Sequence, residues 1–213
     1  MYRHMVSLRA VQFFVILLFC SVNFACGHTA GVGPIIGPRV PIREVVPLPV
    51  NEPQALHLAL KDPRIIVTKS ERRLDLYSAG AIVRRYKIGL GLSPVEDKIR
   101  QGDRRTPEGE FYIFTRNDKS AFYLSLGLSY PNIEDAERGL RDKMIPRRQH
   151  DAIVRAIKSR TTAPQNTALG GDIYIHGNGA SSDWTWGCVA LENADMKELF
   201  DAVSVGTPVT IKH

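Results

Sequence analysis

Residues 173–191 read IYIHGNGASSDWTWGCVAL. A short apolar run ends at His176 and Gly177, a polar loop follows, and a second apolar run begins directly after Cys188. Short apolar runs bounded by polar, glycine-containing segments are typical of buried strands. We therefore predict two strands joined in a hairpin-like return, which would bring the imidazole of His176 against the thiol of Cys188.

This pair of side chains has a definite chemistry. A thiol becomes an effective nucleophile when a neighbouring imidazole takes its proton. The carbonyl of Gly177 could hold the other ring nitrogen and fix the tautomer without a carboxylate. Gly187 lacks a side chain, so the backbone can turn there and aim the N–H groups near Cys188 at a developing oxyanion. From the residues alone, a buried inert thiol beside a structural histidine stays open as the alternative.

The sequence upstream of this segment predicts strands separated by turns. Residues 78–80 (Ser-Ala-Gly) mark the turn of one hairpin, and residues 106–109 (Thr-Pro-Glu-Gly) have the proline and glycine positions of a type I turn. The predicted strands cover residues 65–67, 74–77, 81–88, 111–114, 123–128, 173–176 and 208–211.

Three helical patterns interrupt the strands. Asn132 can cap a helix over residues 133–140, and residues 151–158 carry apolar side chains on one face. Asn193 can cap a last helix, in which apolar residues recur at i, i+3, i+4 and i+7. These elements predict a single strand-dominated α+β domain, which we place at residues 63–213.

The start of the chain has the features of a secretory signal. Basic residues precede an apolar run at residues 10–19, and small residues follow at Ala25-Cys26-Gly27. We predict a signal peptide over residues 1–27 and export to the periplasm or cell envelope. An uncleaved membrane anchor and a lipid anchor on Cys26 are the alternatives, and either would be the chain's only contact with a membrane.

A proline-rich linker and an unremarkable composition complete the organisation. Residues 28–62 hold six of the 13 prolines, which disfavours helix and sheet and predicts a linker. The chain has 213 residues, a net charge of +6 and only three cysteines. These values argue against a disordered chain, a disulfide scaffold and a cysteine-rich zinc module. The scattered lysines and arginines form no nucleic-acid-binding motif, so we expect no nucleic-acid partner.

The ordered motifs resemble the YkuD-type L,D-transpeptidase catalytic domain, over about Arg64 to His213. The resemblance is strongest around the histidine and the cysteine and extends upstream in the family's order. It is carried by His176-Gly177, Thr185-x-Gly187-Cys188-Val189, residues 206–211 (GTPVTI), residues 69–77 (KSERRLDLY), Gly89-Leu90-Gly91, Gly102-Asp103 and residues 106–109.

The resemblance implies a β-sandwich-like fold and a peptidoglycan enzyme. In such enzymes the cysteine, here Cys188, attacks the carbonyl of the third residue of a stem tetrapeptide, expels the terminal D-alanine and forms a thioester. His176 would be the general base and then the acid, and the Gly177 carbonyl would orient it. The N–H groups of Gly187 and Cys188 would form the oxyanion hole. Thr185 and Trp186 would line the oxyanion and substrate region, and neither a metal nor another cofactor is required.

Two positions depart from the family's common pattern. Trp186 stands where the pattern has histidine, and Ala190 where it has arginine or asparagine. Recognition of a substrate carboxylate would then fall to another cation, for which Arg104, Arg105 and Lys119 are candidates. The acceptor stays open between a second stem peptide, a wall-attached protein and water, the last making the protein a hydrolase. A wall-binding module with an inactive thiol is the non-enzymatic alternative.

Overall fold

The computed structural model describes residues 59–213, so the predicted signal peptide and nearly all of the predicted linker lie outside it. Within this range the chain forms eight strands and three helices. They are β1 (Arg64–Thr68), β2 (Arg73–Ser78), β3 (Ala81–Lys87), β4 (Gly109–Ser120), β5 (Tyr123–Leu128), α1 (Ile133–Arg141), α2 (Arg147–Lys158), β6 (Tyr174–His176), β7 (Val189–Ala190), α3 (Asn193–Ala202) and β8 (Pro208–Lys212).

The eight strands form one sheet in the order β3-β2-β1-β8-β4-β5-β6-β7. β4 is twelve residues long and belongs to both halves, pairing with β8 near its start and with β5 over most of its remaining length. An isolated pair between Gly89 and Ala190 joins the segment after β3 to β7, so the sheet curls until its two edges meet. The predicted strand-dominated α+β fold is confirmed.

The β2–β3 hairpin follows the sequence prediction. Ala79 and Gly80 both have positive φ, at 50° and 81°, as a two-residue hairpin turn of type I′ requires. Leu74 and Leu76 alternate along β2 and are fully buried in the core. The turn residues and the alternation therefore act together to fix this register.

A helix cap on α1 is also confirmed. The side chain of Asn132 accepts a hydrogen bond from the Asp135 N–H, and the Asp135 carboxylate accepts one from the Asn132 N–H. This reciprocal capping box satisfies two N–H groups that the first turn of a helix leaves without partners.

The core lies inside the curled sheet, and α3 covers it with Met196 and Leu199.

Other boundaries differ from the prediction for local reasons. α2 begins four residues early, at Arg147, because Pro146 sets an extended backbone directly before it. Glu192 rather than Asn193 is the N-cap of α3. The Asn193 side chain instead accepts a hydrogen bond from the Asn178 N–H, at 2.8 Å, and so holds the loop after β6.

Candidate active site

The histidine and the cysteine come from two parallel strands. Ile175 pairs with Val189 and His176 with Ala190 in parallel register, so the predicted hairpin-like return is wrong. The loop over residues 177–188 crosses back to the start of the next strand instead of reversing the chain. A parallel connection leaves the first residues of β7 beside the first residues of β6.

The register places the side chains of His176 and Cys188 on one face of the sheet. Extending the pairing by one residue sets Cys188 opposite Tyr174, whose N–H lies 3.4 Å from the Cys188 Sγ. Side chains alternate along a strand, so His176 points the same way as Tyr174. All three residues line one cleft of about 320 Å³. A larger cavity of about 610 Å³, lined by residues 62–64, 80 and 204–208, contains neither the histidine nor the cysteine.

His176 is held in a defined orientation. Its side chain is nearly enclosed, with the residue 3% exposed, and Nδ1 lies 2.8 Å from the Gly177 carbonyl oxygen. A carbonyl only accepts hydrogen bonds, so Nδ1 carries the proton and Nε2 is left as the basic nitrogen. The rings of Phe122 and Trp184 pack against the imidazole, at 4.7 and 5.5 Å between centroids. Burial lowers the pKa of His176, although the hydrogen bond to Gly177 opposes the shift.

The thiol of Cys188 is in its neutral form at neutral pH. Burial raises its pKa to about 11, and the charge of Asp172 adds to the increase, while the Tyr174 N–H opposes it. The Sγ atom also lies 3.5 Å from the Asp172 carbonyl oxygen, which accepts a hydrogen bond from the S–H group. Because the imidazole is neutral as well, the pair is suited to general-base chemistry rather than to a preformed thiolate.

Thr185 and Gly187 shape the turn before Cys188. Thr185 is buried, and its hydroxyl donates to the Cys188 carbonyl at 2.8 Å and accepts the Gly187 N–H at 3.1 Å. Gly187 has a φ of +128°, and a Cβ there would lie 2.7 Å from the Arg105 carbonyl oxygen. The buried Thr185 hydroxyl therefore holds the backbone of residues 187 and 188 in place. The Gly187 N–H, which was predicted for the oxyanion hole, donates to this hydroxyl instead.

Trp186 lies on the outside of the site. It is 68% exposed and is not part of the cleft lining. The Arg104 guanidinium lies over its ring, with Cζ 4.9 Å from the ring centroid. Arg105 forms an ion pair with Glu96. Of the three cations predicted as candidates for carboxylate recognition, only Lys119 lines the cleft.

An ion pair that the sequence did not indicate fixes the middle of the loop. The Asp183 carboxylate accepts hydrogen bonds from Arg72 Nε and Nη2, the latter at 2.7 Å, and from the Leu90 N–H at 2.9 Å. A bidentate arginine–carboxylate pair is among the stronger and more directional contacts available to a loop. Asp183 and Arg72 are 111 residues apart, so no local pattern could have predicted their pairing.

Residues 59–213 contain neither a candidate metal site nor a candidate membrane span. No group of three or more histidine, cysteine or acidic side chains is arranged to hold a metal ion. None of the helices in this range combines the length and apolar character that crossing a bilayer requires.

Comparison with known protein families gives one assignment. The L,D-transpeptidase catalytic domain, YkuD, matches residues 62–211, well over half of the chain. The chain belongs to this family. The matched range coincides with the fold and includes the histidine, the cysteine and the loop between them. Comparison with curated proteins gave no match.

Solved structures similar to the YkuD chain come from several bacteria. The helical cell shape determining protein Pgp2 from Campylobacter jejuni is 22% identical, with 71% of this chain and 47% of that chain covered and a TM-score of 0.47. Bd1075 from Bdellovibrio bacteriovorus is 23% identical, with 72% and 49% covered and a TM-score of 0.46. An L,D-transpeptidase from Xylanimonas cellulosilytica is 18% identical, with 72% and 61% covered and a TM-score of 0.44. The chain thus spans about half the length of the first two.

Proposed function

We propose that this protein is an exported cysteine L,D-transpeptidase that acts on peptidoglycan stem peptides. The observation that carries the proposal is the shared cleft, in which His176 and Cys188 lie on the same face of two paired strands. The fixed Nδ1–H tautomer supports it, because it leaves Nε2 as a base. Membership of the YkuD family supplies the substrate class.

The first half-reaction forms a thioester. His176 Nε2 takes the thiol proton as the Cys188 sulfur attacks the carbonyl carbon of the third stem residue. The amide bond to the terminal D-alanine then breaks, and the protonated imidazole gives its proton to the departing amine. Since the Gly187 N–H already has a partner, we propose the Cys188 N–H as the first donor to the oxyanion.

The second half-reaction resolves the thioester. An acceptor amine attacks the thioester carbonyl, His176 takes a proton from this amine, and the sulfur leaves and regains a proton. The acceptor we propose is the side-chain amine of a second stem peptide, which gives a crosslink between two third residues. A wall-anchored protein amine would enter by the same step, and water would give hydrolysis.

The test is an incubation of the purified protein with disaccharide-tetrapeptides, followed by mass spectrometry. We expect dimers and release of D-alanine, and an intact-protein mass that includes the tripeptide acyl group. Cys188→Ser and His176→Gln should abolish turnover, whereas the matched control His150→Gln should not, because His150 lies outside the cleft. Cleaved monomers alone would replace transfer by hydrolysis. Normal turnover by Cys188→Ser would overturn both enzymatic proposals.

Export is proposed from the sequence of residues 1–27. N-terminal sequencing of the envelope-associated protein should begin at His28 if the signal is cleaved after Gly27. A mature chain that starts with a lipid-modified Cys26 would establish the anchored alternative, and an intact Met1 in the cytoplasm would contradict export.

A further inference from the structure

The reactive cleft carries one side chain of each charge. Among its lining residues Lys119 is the one with an ammonium group and Asp172 the one with a carboxylate, and both are exposed. The remaining polar lining consists of neutral groups such as Asn117, Ser120 and Ser125. The cleft is therefore close to neutral overall but has two separate points of charge.

These two side chains differ from the other charges around the site. Arg72 binds Asp183, Lys98 binds Asp103 and Arg105 binds Glu96. Within the described residues, neither Lys119 nor Asp172 takes part in a salt bridge. Charges that a fold leaves without a counter-ion inside a substrate cleft are available to a ligand.

Backbone contacts fix the positions of both residues. Asp172 has a φ of +55°, its N–H donates to Gln165 Oε1, and its carbonyl oxygen lies 3.5 Å from the Cys188 sulfur. Lys119 lies near the far end of β4, where the pairing with β5 is irregular, and its N–H donates to Asn117 Oδ1 at 2.9 Å. Asp172, in the loop before β6, is thus beside the Cys188 sulfur, and Lys119 comes from β4.

We propose that Lys119 and Asp172 select a substrate residue that carries both a carboxylate and an ammonium group, with Lys119 binding the carboxylate and Asp172 the ammonium. This inference rests on the proposed function and assigns the specificity of the same site. It also replaces the three candidate cations from the sequence by one, since the guanidinium of Arg105 is paired with Glu96 and that of Arg104 lies over Trp186.

An ammonium beside Asp172 has a second consequence for the reaction. The Asp172 charge disfavours the thiolate of Cys188. A bound cation would screen that charge, so the correct substrate would make the sulfur easier to ionise at the moment it is needed.

Lys119 is tested with three tetrapeptide substrates whose third residue has both groups free, its side-chain carboxylate amidated, or its side-chain amine acetylated. Lys119→Ala should raise KM for the free substrate about 10- to 100-fold, as expected for loss of a charge-assisted contact, with kcat changed less than KM. For the amidated substrate the variant should match the wild type. Lys119→Arg should restore binding, and the control Lys158→Ala, an exposed lysine outside the cleft, should have no effect. An equal effect of Lys119→Ala on both substrates would overturn the assignment.

Asp172 is tested by Asp172→Asn, which keeps the side-chain shape and tolerates the positive φ. This variant should lose the preference for the free amine over the acetylated one, and an unchanged preference would overturn its role. Calorimetry with Cys188→Ser protein separates this inference from the proposed function. If no substrate releases D-alanine, the function fails, whereas charge selection fails only if the free and the modified peptides bind equally.

Discussion

At the scale of single residues, the site joins a neutral thiol to a neutral imidazole. Phe122 and Trp184 pack against the His176 ring, and burial lowers the pKa of this imidazole. Burial raises the pKa of Cys188 and so disfavours its thiolate. The sequence was sufficient to predict the Gly177 contact with the His176 ring, because a glycine carbonyl directly after a strand-end histidine is within reach. It was not sufficient to predict the state of the thiol, which depends on groups from distant parts of the chain.

The first prediction concerns the pH dependence of thiol alkylation. The raised pKa, about 11, leaves less thiolate at any given pH than an ordinary cysteine would have. The rate of iodoacetamide labelling at Cys188, followed by peptide mass mapping, should therefore rise about tenfold per pH unit from pH 7 to pH 9 without a plateau. Protein unfolded in urea is the control and should level off above about pH 9. A plateau of the folded protein below pH 8 would instead indicate a preformed thiolate.

At the scale of secondary-structure elements, features that depend on neighbouring residues could be predicted from the sequence, whereas the pairing of distant strands could not. The β2–β3 turn and the N-cap of α1 each depend on residues that are close together in the sequence, so both could be predicted. The parallel pairing of β6 and β7 could not, because an apolar run has the same appearance in either strand direction. Asn193 has the right residue type for an N-cap, but tertiary contacts use its side chain to hold Asn178 instead.

The second prediction concerns the loop that connects β6 to β7. Asp183→Ala removes the anchor to Arg72 and the Leu90 N–H, so the loop that carries Cys188 should lose its fixed position. A displacement of a reacting group by about 1 Å can lower the reaction rate about 100-fold, so kcat/KM should fall by about 10- to 100-fold. Stability in urea should fall by only about 1–3 kcal/mol, since the pair is partly exposed. Asp142→Ala is the control, because the Asp142 pair with Arg141 is exposed and distant in sequence from the loop. A loss of activity that merely tracks unfolding would contradict a positioning role.

At the scale of the whole molecule, one strand unites the sheet. β8 lies between β1 and β4, parallel to the first and antiparallel to the second. Its side chains Val209 and Ile211 are buried in the core and each contributes about 2–3 kcal/mol by burial. The sequence predicted this strand but not its central place, because strand order is set by contacts between distant segments.

The third prediction is that removal of β8 abolishes the fold. A chain that ends at Thr207 should lose its cooperative urea transition, because two buried side chains and both neighbouring ladders are lost together. A chain that lacks only His213, an exposed residue, is the matched control and should unfold within about 1 kcal/mol of the full chain. Circular dichroism and urea titration report both outcomes, and a cooperative transition in the shorter chain would disprove the central role of β8.

The central place of β8 also sets the order of events during translation. The ribosome makes residues 208–212 after every other strand, yet β1 and β4 have no common neighbour until they arrive. Before residues 208–212 arrive, the Gly89–Ala190 pair is a direct strand-level link between the two halves of the sheet. Complete folding therefore waits for the last strand to leave the ribosome, although β6 and β7, which flank the loop between His176 and Cys188, are made before it.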